Sequence, residues 1–320
     1  MTSLTPSKIS MRSSGFTLAE LLIAMTVGTI VLSAAIGFLL AQMRTLGGGD
    51  IREDLSRNSR YVGVSLRHDL QAAGIEISSS NTFGTVAAFP GTSGDTLLVL
   101  HVPYVPSPAP PHDLDPPVGT DNPLAAGGTC GTNCVDVLID ANQPLELGLG
   151  DLARLQVGAT RRLILIEDIS TTNDTSVALS FTAHDTILRQ PAGLTGGLRL
   201  DRYSTYVQKL QPTLYYLDDQ QRLMRAVGLN SSGAPAGEVL AYGVELFDVS
   251  LLFEDGDELD QADPDDSDNS NDYDDIVAVK VRATFVADRT DPRVNQGKLL
   301  RALHQWVVSP RNLRYEKNKL

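Results

Sequence analysis

The sequence predicts an α+β protein: a long N-terminal α-helix, membrane-spanning in one half and amphipathic in the other, packed on a C-terminal antiparallel β-sheet domain. Three observations predict it. Residues 16–41 form an apolar run of 26 residues with one ionisable group, Glu20. No proline occurs between Pro6 and Pro90, so one very long helix is permitted. Beyond residue 75, runs rich in β-branched and apolar residues recur between turn residues, which is strand patterning.

The apolar run comes first. A helix of 26 residues rises about 39 Å, enough to cross a hydrocarbon core about 30 Å thick. Residues 1–15 are polar, and Lys8 and Arg12 are their only charges. A positive leader stays on the cytoplasmic side and leaves the bulk of the chain outside. The run is too long for the core of a secretory signal peptide, and no small-x-small site follows it. Glu20 is the anomaly, because an acidic side chain within a membrane helix costs about 2.5–3.5 kcal/mol. Its plain alternative is a carboxylate one turn from the helix start, reaching for the interface.

Past the span, Ile51, Leu55, Val62, Leu66, Leu70 and Ala73 recur at steps of three, four or seven. That stripe belongs to an amphipathic helix lying on a sheet, with Arg52, Arg57, Arg60, Arg67 and Asp69 off it. His68 and Asp69, adjacent in sequence, are expected to face solvent in different directions. Gly47-Gly48-Gly49 stands between the two halves. Each glycine costs about 1 kcal/mol in a helix, so a kink or melted turn is predicted between segments 16–46 and 50–74. Gly74 suits the helix C-cap.

Strands are predicted over 97–102, 135–139, 163–167, 177–181, 205–210, 213–217, 244–253 and 276–287 of the β-rich domain, 75–320. The run from Ile276 alternates cleanly, so one face is core and one is wet. The proline-rich stretch 103–123 reads as an irregular exposed loop.

Residues 254–275 form an acidic insertion with 12 carboxylates in 22 residues and no basic residue. Asp263, Asp265, Asp266, Asp268, Asp272 and Asp274 supply the oxygen density of a calcium loop, which needs six to eight ligands. The spacing is not an EF-hand's. A solvated, disordered insertion is the competing reading. Cys130 and Cys134 sit four apart in a Gly/Thr/Asn loop. A disulfide stapling that loop is expected in an oxidising compartment; metal and redox alternatives lack a second Cys pair.

The formal charge of −13 argues against a nucleic-acid partner. No Gly-x-Ser-x-Gly elbow, Walker-type loop or His-Glu-x-x-His occurs, so no enzyme and no small-molecule substrate are indicated.

Gly15-Phe16-Thr17-Leu18-Ala19-Glu20-Leu21-Leu22 resembles the cleavage and methylation motif of the type IV pilin-like family. The resemblance implies a fold of pilin type. It also implies cleavage by the prepilin peptidase between Gly15 and Phe16, N-methylation of Phe16, and an assembly carboxylate at Glu20. Met11 would open a short basic leader of the kind common in that family. The run Leu66-Arg67-His68-Asp69-Leu70-Gln71-Ala72-Ala73-Gly74 and the ending Trp306-Val-Val-Ser-Pro-Arg-Asn resemble the PilW/GspJ branch of minor pilins.

The implied role is a minor pilin in pilus initiation or tip assembly, with other minor and major pilins as partners. Before assembly it would sit in the inner membrane as a single-pass protein with a cytoplasmic N-terminus, and afterwards in the pilus at the cell surface. A GspJ-like pseudopilin of a type II secretion system and an uncleaved membrane-anchored binding protein are the alternatives. No cofactor is implied beyond calcium, which some pilin-like proteins bind in loops of the acidic region.

Overall fold

The computed structural model describes residues 17–77, 79–81, 83–104, 107–115, 134–139, 144–158, 160–183, 205–264, 270–290 and 295–313. Helix α1 (Leu18–Ala72) is a single element of 55 residues. It stays helical through Gly47–Gly49, which corrects the expected melted turn. The physical reason is cooperativity. Extending an existing helix costs no new nucleus, so three glycines weaken the rod without interrupting it.

The second half of α1 buries its predicted stripe: Ile51, Leu55, Val62, Leu66 and Leu70 are all buried. Each such side chain is worth about 1.5–3 kcal/mol when taken out of water. The helix stops where Gly74 adopts a φ of 75°, a left-handed conformation that favours glycine. Its last carbonyls are satisfied from the opposite end of the chain. Asn312 Nδ2 donates to the carbonyls of Gln71 (3.0 Å) and Ala73 (3.1 Å).

Two antiparallel sheets receive the helix. The larger contains β1 (Val86–Phe89), β2 (Thr96–His101), β3 (His112–Asp113), β4 (Cys134–Leu138), β5 (Leu152–Val157), β6 (Thr160–Asn173), β7 (Ser176–Ala183), β8 (Thr205–Leu217), β9 (Leu223–Leu229) and β10 (Pro235–Ala241). The smaller has the order β12 (Glu258–Leu259), β11 (Val244–Phe253), β13 (Ile276–Val286), β14 (Arg301–Val308). One core of Val, Leu, Ile and Phe side chains joins α1 to β1, β2, β9 and the smaller sheet.

Strand β8 organises the larger sheet because it changes partners midway. On one edge β5 pairs residues 205–210 and β9 pairs residues 213–217. Pro212, which separated two predicted strands, sits at that changeover and does not break β8. On the other edge β3 pairs the first half and β2 the second. From β8 the pairing runs through β5, β6 and β7 to β4. It returns to β8 by the Leu114–Val137 bridge and β3. The ring of pairings closes into a small barrel with its own core, including Leu155, Ile164, Ile166, Leu179, Phe181 and Val207. Closure leaves those strands without a free edge. This corrects part of the reading of 103–123 as exposed loop: Ala109, His112 and Leu114 are buried, while residues 105, 106 and 116–123 lie outside the described residues.

Of the pair His68–Asp69, His68 faces solvent as expected, and the reading of Asp69 is corrected. Asp69 is buried at 5% exposure and lies at the centre of a polar cluster. Arg225 Nε and Nη2 donate to its two oxygens at 2.7 and 3.0 Å, and the Tyr215 hydroxyl and His68 Nδ1 complete the set. Burial pushes the Asp69 pKa up, but the hydrogen bonds from Arg225, His68 and Tyr215 outweigh it and hold the carboxyl below its usual range. Burial beside the same carboxylate drives Tyr215 strongly upward, so its hydroxyl stays a donor. Helix α1 is thereby pinned to β8 and β9 by a charged clamp rather than by apolar contact alone.

The other flank of α1 meets β14. A Cβ on Gly63 would lie 2.3 Å from Trp306 Nε1, so only glycine lets the indole lie against the helix. The ring stacks with His304 and meets Phe285 edge-on.

Three outcomes are expected. Arg225→Ala leaves a buried carboxylate uncompensated and should cost about 3–5 kcal/mol in denaturant unfolding. A depressed carboxyl pKa contributes stability that is complete above the unfolded value of about 3.9 and is lost as pH falls through the folded one. The advantage of the wild type over Asp69→Asn should therefore shrink below about pH 4, measured as melting temperature against pH. Gly63→Ala should displace Trp306, the only tryptophan of the chain, and red-shift its emission.

Candidate assembly site

The first half of α1 presents an unburied apolar surface. Residues Leu18–Met43 form a membrane-length apolar stretch, none of it buried within the molecule. Leu18, Ile23, Met25, Ile30 and Phe38 are each at least 63% exposed. A continuous apolar surface of this extent requires a bilayer or neighbouring apolar helices around it.

Glu20 stands at the head of this surface. Thr17 is the N-cap, and its hydroxyl accepts the Glu20 backbone N–H at 3.3 Å. Glu20 Oε2 in turn accepts the Thr17 backbone N–H and hydroxyl, both at 2.9 Å. This reciprocal capping box satisfies two backbone donors that the first turn otherwise leaves open. It also holds the carboxylate at the positive end of the helix dipole. Both contacts fall on Oε2, so Oε1 has no hydrogen-bond partner among the described residues. A cation approaching the head of the helix finds that oxygen available. Sequence reasoning singled out Glu20 but missed Thr17, although the Thr-x-x-Glu spacing was there to find. Gly15 and Phe16 lie outside the described residues.

The acidic insertion is only partly a surface feature. Ala262 and Tyr273 join the main core, and Tyr273 covers Gly84 so closely that a Cβ there would lie 2.3 Å from its ring. Its flanks are thus packed, which corrects the reading of a wholly solvated insertion. Glu258 is committed to Lys280 at 2.8 Å and to Ser250. Asp272, Asp274 and Asp275 bring carboxylate oxygens within 4.8 Å of one another, and Asp272 is buried. Of the six aspartates expected to act together, Asp272 and Asp274 converge, and Asp275, which was not among them, joins. Asp263 is not in the group; Asp265, Asp266 and Asp268 lie outside the described residues. Three carboxylates are half of the minimum coordination of a calcium ion. Cys134 is buried at the start of β4, while Cys130 lies outside the described residues.

Residues 10–36 match the family model of the prokaryotic N-terminal methylation motif. No characterised protein matches the chain in sequence. Among solved structures, a type IV-like pilin from Thermus thermophilus is similar at 12% identity and a TM-score of 0.34, over 82% of this chain and 97% of that one. The matched methylation motif heads an exposed apolar helix that leads into antiparallel sheets.

Proposed function

We propose that the chain is a PilW-like minor pilin of a type IV pilus. In this reading a peptidase cuts between Gly15 and Phe16 and methylates Phe16, and the exposed half of α1 then moves from the bilayer into a filament core. The carrying observation is Glu20: a carboxylate at the head of an unburied apolar helix, with Oε2 engaged by Thr17 and Oε1 without a hydrogen-bond partner among the described residues.

Cleavage would free an α-ammonium at Phe16, one helical turn from Glu20. In a filament that ammonium and the carboxylate of an adjacent subunit are both withdrawn from water, and each is costly alone. Breaking such a pair costs about 3–5 kcal/mol, whereas apolar contact between helices is indifferent to register. The charge pair therefore fixes register, and the apolar side chains supply adhesion. We also propose the Cys130–Cys134 link, which would close a short loop at the entry to the barrel.

Mass spectrometry of the protein recovered from surface filaments tests the reading. The expected mature chain begins with N-methylated Phe16. Glu20→Gln preserves shape and removes charge; it should leave cleavage intact and lower recovery in filaments at least tenfold. A mature protein beginning elsewhere, or undiminished recovery of Glu20→Gln, would overturn it.

A further inference from the structure

Strand β14 is an edge strand. It pairs with β13 on one side, and no described strand pairs with the other. Natural edges are usually blunted by proline, lysine, a bulge or a short length. The eight residues of β14 contain no proline and no lysine, and their register with β13 is unbroken from Arg301 to Val308. Such an edge offers backbone donors and acceptors to another extended chain.

The two faces flanking this edge differ in chemistry. On the helix side an open groove of about 490 Å³ lies between α1 and β14, lined by Arg60, Gly63, Val64, Arg67, His68 and Trp306. Arg57, Arg222, Arg225, Arg282, Arg289 and Arg301 each meet a carboxylate. Arg60 and Arg67 meet none among the described residues, although the chain carries a formal charge of −13. On the opposite face β14 exposes Leu303 (63%) and Val307 (55%). A strand laid against β14 would turn alternate side chains to these two faces.

We infer that the β14 edge and the adjoining face of α1 form a docking groove for an extended strand of another protein chain. That strand carries carboxylates at alternate positions, facing Arg60 and Arg67, and apolar residues between them, facing Leu303 and Val307. The chain's own C-terminal residues 314–320 are a poor occupant, because Arg314, Lys317 and Lys319 outnumber Glu316 and would repel the same arginines. The groove stands independently of the filament reading.

Trp306 lines the groove and is the sole tryptophan, so its emission reports occupancy directly. The test uses the full chain in detergent micelles, titrated with a peptide of eight alternating glutamate and valine residues. Three comparisons accompany it: the peptide with lysine for glutamate, the glutamate peptide N-methylated at alternate backbone positions, and the double variant Arg60→Glu with Arg67→Glu.

The glutamate peptide should give a saturable change in Trp306 emission, and the lysine peptide should bind at least tenfold more weakly. One of the two N-methylation registers should abolish binding, and the double variant should reverse the charge preference. No saturable change, equal binding of both charge types, or indifference to N-methylation would overturn the inference. A concentration-dependent emission change without peptide would assign the groove to a second copy and overturn it as well.

Discussion

Fifty-five residues of uninterrupted helix have to satisfy two surroundings at once, and the rest of the molecule is arranged around that constraint. The first half is apolar, and among the described residues nothing covers it. The second half is apolar on one stripe and is covered by two sheets. A rod bearing a membrane-length lever at one end needs more than non-directional burial at the other. The Asp69 clamp supplies direction. Arg225 and Tyr215 reach it from two neighbouring strands, so sliding or rotating the helix by one residue would strand a charge in the core.

The same logic of fixed position recurs at the helix termini. At the start, the Thr17–Glu20 capping box satisfies the first turn. At the finish, Asn312 returns from the far end of the chain to cap the carbonyls of Gln71 and Ala73. The closure is topological, because residues 241 and 239 positions apart meet there. Between these ends, Gly63 and Trp306 set the distance of the helix from β14.

Strand β8 separates the molecule into a helix-backed part and a barrel without interrupting the backbone hydrogen bonding. The barrel has a separate apolar core and closes its own edges, so its surface can vary without disturbing the packing of α1. The smaller sheet is built differently. Its outer face carries the ion pairs Lys280–Glu258, Arg282–Asp248 and Arg301–Glu245 beside the exposed Leu303 and Val307, and no described strand pairs with the far side of β14. Exposed pairs of this kind contribute little stability.

Local pattern determined a good deal. The membrane-length run, the stripe from Ile51 to Ala73, the stop at Gly74, the alternating strand from Ile276 and the anomalous Glu20 all follow from periodicity or from a single misplaced charge, and each is visible within a window of twenty residues or so. Tertiary contact decided the remainder. Asp69 looked like a surface residue because its partners lie about 150 positions away on β8 and β9. Strands β1, β5, β9 and β10 escaped notice because glycine, arginine or small residues obscure their alternation, and pairing rather than propensity holds them. Proline-rich residues around His112 became barrel wall because β8 and Val137 offered them partners. The glycine triplet stayed helical because the turns on both sides already were, a cooperative effect that a sum of single-residue costs leaves out.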